Sequence, residues 1–98
     1  MKILLIVFRQ SIVEHVHALL KEYEVNAFTE LHNVAGRGET GPSVQFLLSP
    51  GANSMILTAV SEQLAYRLID AFTRFKAEQG KGQHDQVHVF ILPCEQVV

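Results

Sequence analysis

An arginine set between glycines, Gly36-Arg37-Gly38, is the first group whose type and spacing suggest chemistry. A guanidinium can fork onto a phosphate or carboxylate while flanking backbone N–H groups line an anion nest. The plainer alternative is a solvated loop arginine whose glycines serve turn geometry. Lys81-Gly82 is a second basic turn, able either to meet a ligand or to end a helix and complement its dipole. Gly36 to Gly41 also satisfies G-x-G-x-x-G, a fingerprint that works only where the glycines lead from a strand into a helix whose N-terminus meets a pyrophosphate. Here Pro42 and the β-rich hexapeptide Ser43 to Leu48 follow, and no useful helix fits before Pro50. Dinucleotide binding of that kind is excluded, and no Walker lysine motif occurs.

Imidazole and thiolate suit zinc or copper, so His84, His88 and Cys94 raise a metal hypothesis. On one extended strand His88 and Cys94 lie about 20 Å apart at a rise of roughly 3.3 Å per residue, too far to share an ion within a subunit. A divalent-metal site would need His84 and His88 together with groups from a neighbour. Cys94 after an apolar strand reads as a small buried hydrophobe. His15 and His17 lie two apart on a helical segment, diverge on its surface, and are expected to be solvated. Catalysis would need a nucleophile beside a base, or paired carboxylates in a pocket; neither pattern is legible, and the chain reads as a non-enzyme.

The elements that must carry these groups follow from periodicity. Lys2 to Phe8 is an apolar, β-branched run closed by Arg9-Gln10, a strand covered on both faces. Ser11 and Glu14 have capping-box spacing, and Ile12, Val16, Leu19, Leu20 and Tyr23 then recur at helical intervals. Val25 to Val34 has strand-like content, and Ser54 to Val60 is a buried strand. Ser61 stands at an N-cap position with Glu62 in the first turn, and Leu64, Leu68, Phe72 and Phe75 form the stripe of a second helix ended by Gly80. Val87 to Leu92 is a last strand halted by Pro93. The order β-α-β-β-α-β predicts an α+β, ferredoxin-like domain over residues 1–98, with two helices on one face of a four-stranded antiparallel sheet.

The other face of that sheet is left bare. Val87, Val89 and Ile91 lie on one side of the last strand and Phe90 and Leu92 on the other, so both sides are apolar and the second must be covered, most simply by further copies of the subunit. Residues 35–53 form a connection far longer than the usual 4 to 6 residues. It opens on Gly36 to Pro42, closes on Ser49 to Asn53, and holds the apolar stretch Val44-Gln45-Phe46-Leu47-Leu48 between them. That apolar middle could extend the hairpin, pack into a neighbouring subunit or dock on a partner, and for the last role Glu39, Thr40, Val44, Phe46 and Leu47 are the candidate partner-binding residues.

Composition narrows the classes further. The 98 residues carry eight Lys and Arg against ten Asp and Glu, a formal charge of −2, without the basic footprint of a nucleic-acid binder. The longest apolar run, Ile3 to Phe8, is far below the roughly 20 residues of a membrane-spanning helix. One cysteine allows no intrachain disulfide, no secretory leader opens the chain, and a cytoplasmic location is expected.

The ending Val89-Phe90-Ile91-Leu92-Pro93-Cys94-Glu95-Gln96-Val97-Val98 resembles the last strand of the PII-type nitrogen-regulatory signalling proteins. Arg9 followed seven residues later by Val16 fits that family's first strand-to-helix junction, and Gly36-Arg37 falls where its long T-loop begins. The resemblance implies a homotrimer with inward-turned sheet faces, adenine nucleotide in clefts between subunits, and a T-loop presented to targets such as a membrane transporter or a metabolic enzyme. On that basis Gly36, Arg37, Gly38, Lys81, Gly82 and His88 are the candidate effector-binding residues. The departures are Gly38-Glu39 in place of the family's Gln-Lys pair, His88 near the place of its phosphate-loop lysine, a shorter T-loop, and Val98 where the family continues with a basic tail. They describe a divergent member with an effector of its own. Two other classes stay open: a metal-responsive trimer resembling CutA, using His84 and His88, and an oligomeric scaffold whose loop binds a protein partner without any small ligand.

Overall fold

The structure, a computed structural model, describes residues 1–34, 53–79 and 86–98. Strand β1 (Lys2–Arg9) runs through a short 3-10 turn (Gln10–Ile12) into helix α1 (Val13–Glu22); β2 (Thr29–His32), β3 (Asn53–Val60), α2 (Glu62–Glu78) and β4 (Val87–Pro93) follow. The four strands form one antiparallel sheet in the order β2-β3-β1-β4. This is the expected ferredoxin-like architecture.

Alternation along β1 decides which side chains meet the helices. Leu4, Ile6 and Phe8 are sealed from solvent, and the pairings Leu4↔Thr58, Ile6↔Ile56 and Phe8↔Val87 put their neighbours on the same side. Onto this face α1 lays Val16 and Leu20 and α2 lays Ala65, Leu68 and Phe72, completing one core. The opposite face carries Ile3, Leu5 and Val7 from β1, Met55 and Leu57 from β3, and Phe90 and Leu92 from β4. Nothing in the described chain covers it: Phe90 is 52% and Leu92 44% exposed.

Helix ends show where local signals held. Ser61 is extended (φ −62°, ψ 155°) and its Oγ accepts the Leu64 N–H at 3.1 Å, so the expected cap of α2 is present. The capping box expected at Ser11 does not form. Ser11 lies inside the 3-10 turn, the Val13 N–H is taken by the Gln10 carbonyl, and α1 starts one residue later with Ile12 at its N-cap and no side-chain cap. At the other end of α1 the Val25 N–H returns to the Leu20 carbonyl (2.8 Å) and the Glu24 N–H to that of Lys21 (3.0 Å), the Schellman pattern, with Glu24 in the left-handed region at φ 62°. Val25 is thereby used by the helix terminus, and Asn33 turns the chain at φ 59°. Between them β2 keeps only four residues of the ten expected.

Candidate functional site

The helix-free face changes character along its length. Across β3, β1 and β4 its successive rows read Ala59–Ile3–Leu92, Leu57–Leu5–Phe90, then Met55–Val7–His88, and the last pairing sets Asn53 opposite Arg9. Two apolar rows thus give way, through a third that carries His88, to a polar one. At this end the chain leaves β2 for residues 35–52 and returns at Asn53, and β4 enters from residues 80–85. The two roots of the long connection are tied together, the Val34 N–H donating to the Asn53 carbonyl at 3.0 Å.

Asn53 is the least expected member of this end. It is 1% exposed, and neither its Oδ1 nor its Nδ2 has a hydrogen-bond partner among the described residues. Leaving a polar group buried and unsatisfied costs about 1–3 kcal/mol, so this carboxamide is the costliest polar group at this end of the sheet. Met55 and Leu57, next on the same face, are apolar, so Asn53 forms a polar floor where the greasy surface stops. Burial, rather than residue type, singles it out; from the sequence alone Asn53 is one more turn residue closing a loop.

Of the residues expected to hold an effector, His88 is described: it is half-buried on β4 opposite Val7, in the row next to Asn53 and Arg9. It also lines an open groove of about 250 Å³ between α2 and the edge of β4, together with Ile69, Phe72, Thr73, Lys76 and Phe90. Lys76, not foreseen, puts an ammonium beside these apolar walls. Gly36, Arg37, Gly38, Lys81 and Gly82 lie outside the described residues, as do the partner-binding candidates Glu39, Thr40, Val44, Phe46 and Leu47 and the metal candidate His84. Among the described residues no group of three or more His, Cys, Asp or Glu is arranged to hold a metal ion. Cys94 is a half-buried free thiol whose Sγ lies 3.7 Å from Met1 Sδ.

A second polar cluster braces the other approach to the loop, from the helix side of β2. His17 Nε2 on α1 lies 2.6 Å from Glu30 Oε1, and the Glu30 side chain is only 12% exposed. His32 Nδ1 faces Glu30 Oε2 at 3.6 Å and Ser54 Oγ at 3.4 Å, and the Ser54 hydroxyl donates to Gln10 Oε1 at 2.6 Å. The chain of contacts joins α1, β2, β3 and the 3-10 turn at the strand that enters the connection. His17 is exposed, as expected, and is in addition tied to Glu30 and packed on Phe28 with ring centroids 5.9 Å apart. The signal available in the sequence was Glu30, an acidic residue at a core-facing position of a predicted strand, which calls for a partner.

Comparison with known proteins agrees with this anatomy. The family model described as nitrogen regulatory protein P-II matches residues 1–98. No curated protein is matched. Among solved structures the chain is similar to CPII, a nitrogen regulatory PII-like protein from Thiomonas intermedia K12. In its form bound to ADP and bicarbonate the identity is 28% and the TM-score 0.68, covering 92% of this chain and 81% of that one. In a form bound to ADP, AMP and bicarbonate the identity is 26% and the TM-score 0.68, covering 93% and 88%. A putative PII-like signaling protein from Thermus thermophilus shares the fold at 22% identity and a TM-score of 0.62, covering 92% and 82%.

Proposed function

Because the chain belongs to the nitrogen regulatory protein P-II family, we propose that it is a signalling subunit that works as a homotrimer. It binds adenine nucleotide together with a small oxyanion where subunits meet and controls a target protein, a membrane transporter or a metabolic enzyme, through the 36–53 loop. It acts in the cytoplasm and performs no catalysis of its own. No helix among the described residues is long and apolar enough to cross a membrane, which fits a regulator that docks on a membrane protein.

The observation that carries the reading is the graded helix-free face. Its apolar rows, with Phe90 and Leu92 about half exposed, are of the kind that other copies bury. Its polar end, with Asn53, Arg9 and His88, lies where two connections leave the sheet, the place at which a ligand in an intersubunit crevice would be felt by the loop. An effector acts on the loop by binding one of its arrangements better than another, which is the thermodynamic requirement for a switch. The ADP, AMP and bicarbonate in the CPII structures support the choice of ligands.

Light scattering at micromolar concentration, paired with calorimetric titration of ADP, AMP and ATP with and without hydrogencarbonate, tests this. A particle of three 11.0 kDa subunits that releases or absorbs heat with at least one nucleotide is expected. A stable single subunit, or silence toward every nucleotide, overturns it.

A further inference from the structure

Strand β2 is anchored to the body of the molecule through an acid. Of its four residues Thr29, Leu31 and His32 are exposed, and Glu30 alone turns a largely buried side chain toward the helices. Edge strands are ordinarily seated by an apolar side chain; a carboxylate in that place has to be met by donors or by positive charge. Both groups that meet it are imidazoles. His17 Nε2, from α1, reaches Oε1 at 2.6 Å, whereas Oε2 is buried with no hydrogen-bond partner among the described residues. His32 Nδ1 stands 3.6 Å from that second oxygen and a little nearer, at 3.4 Å, to Ser54 Oγ. The other elements packed here bring no charge: β3 sets Ile56 opposite Glu30 and Ser54 opposite His32, and the 3-10 turn contributes Gln10. On α1, Glu14 and Lys21 lie one turn to either side of His17 and form no ion pair with this cluster among the described residues. The remaining ties of this segment, the ladder to β3 and the Thr58 hydroxyl on the Ala27 carbonyl at 2.9 Å, do not depend on a titrating group.

We propose that His17, Glu30 and His32 form a proton-operated latch on β2, which tightens when the imidazoles are charged and slackens when they are neutral. A neutral imidazole offers the carboxylate one N–H dipole; an imidazolium offers a full charge and a donor on each ring nitrogen. Proton uptake by His17 makes its short contact charge-assisted. Proton uptake by His32, whose side chain is 60% exposed and able to turn, draws its ring from Ser54 toward the unpartnered Oε2. The hold on β2 is therefore greatest on the acidic side of the range in which histidine changes charge, roughly pH 5 to 8, and falls as the pH rises through it. What the latch secures is the root of the long connection, since His32 is followed by Asn33 at φ 59° and by Val34, whose N–H is bonded to the Asn53 carbonyl. The device needs neither nucleotide nor assembly, and so stands apart from the function proposed above.

The test is amide hydrogen exchange of the full chain without ligand, at about pH 5.5 and about pH 8, corrected for the intrinsic pH dependence of exchange. It compares wild type with the double variant His17→Gln, His32→Gln, with Glu30→Gln and with His15→Gln. In wild type, protection of the β2 and Val34 amides is expected to be at least fivefold greater at the acidic pH, while that of the α2 amides changes less than twofold. Glutamine keeps a side-chain donor and takes up no proton, so the double variant is expected to show the same β2 protection at both pH values. Glu30→Gln, which removes the carboxylate charge at nearly constant shape, is expected to do the same. His15 packs its ring on Phe75 and serves as the control, its glutamine variant behaving as wild type. Equal β2 protection at the two pH values in wild type overturns the proposal without reference to any variant. So does a pH dependence that survives in the double variant, which would belong to another group, and so does one shared equally by α2, which would report global stability rather than a hold on β2.

Discussion

The two faces of this sheet are made of nearly the same residues and end in opposite conditions. On one side Leu4, Ile6 and Phe8 are sealed beneath two helices; on the other Ile3, Leu5 and Val7, one position out of step, share a surface with the half-exposed Phe90 and Leu92. Strand alternation alone assigns each residue to its side. The described chain supplies a cover for the first face and none for the second, so the first reports on folding and the second is the surface that the proposed assembly would use.

Substitutions divide along the same line, and the largest effect belongs to the covered face. Phe72→Ala opens a cavity beneath α2 and should cost about 3–5 kcal/mol, read as a lowered denaturant midpoint without loss of the ability to assemble at low temperature. If Phe72→Ala unfolds no more readily than wild type, the core has been misassigned. Under the proposed trimer, Phe90→Ala on the open face removes burial worth roughly 1.5–3 kcal/mol at contacts between subunits. The expected result is a strongly concentration-dependent mass in sedimentation with an unchanged circular-dichroism spectrum; a variant as trimeric as wild type at every dilution would place the interface elsewhere.

Two smaller effects sharpen the contrast between what is fixed locally and what is fixed by distant neighbours. Ser61→Ala should cost about 1 kcal/mol through the lost cap on the Leu64 N–H, while Ser11→Ala, at a position whose sequence also reads as a helix cap, should move the unfolding midpoint hardly at all. Equal losses at both serines would contradict the 3-10 entry into α1. His17→Ala gives up the contact to Glu30 at a site 44% exposed, so a loss nearer about 0.5 than about 1.5 kcal/mol is expected. Faster amide hydrogen exchange in β2, with α2 unaffected, would identify the brace; uniform change across the sheet would count against it.

What could be read in advance follows from range. The strands of the centre, the stripe Leu64-Leu68-Phe72-Phe75 and the Ser61 cap are all set within a few residues, and all were legible. The brevity of β2 was not, because Val25 is claimed by the end of α1 through a hydrogen bond to Leu20 that strand propensity does not register. The tie from His17 to Glu30 spans thirteen residues and becomes visible only when α1 is laid over the edge strand. Asn53 and Lys76 escaped for the same reason: an asparagine after a turn and a lysine near a helix end are ordinary letters until burial and a neighbouring strand give them surroundings. The nucleotide and T-loop assignments came from likeness to a family, carried by the run from Val89 to Val98 and by Gly36-Arg37, and local chemistry by itself left Arg37 undecided.

The hydrogen bond from Val34 to Asn53 brings departure and return of the long connection to a single point on the framework. A segment fastened in that way adds little entropic penalty as it lengthens, about 0.6 kcal/mol for each doubling. Insertions and deletions there should leave the sheet intact, so if the loop recognises a target as proposed, descendants of this protein could exchange one recognition sequence for another, and with it one client for another, on an unchanged framework.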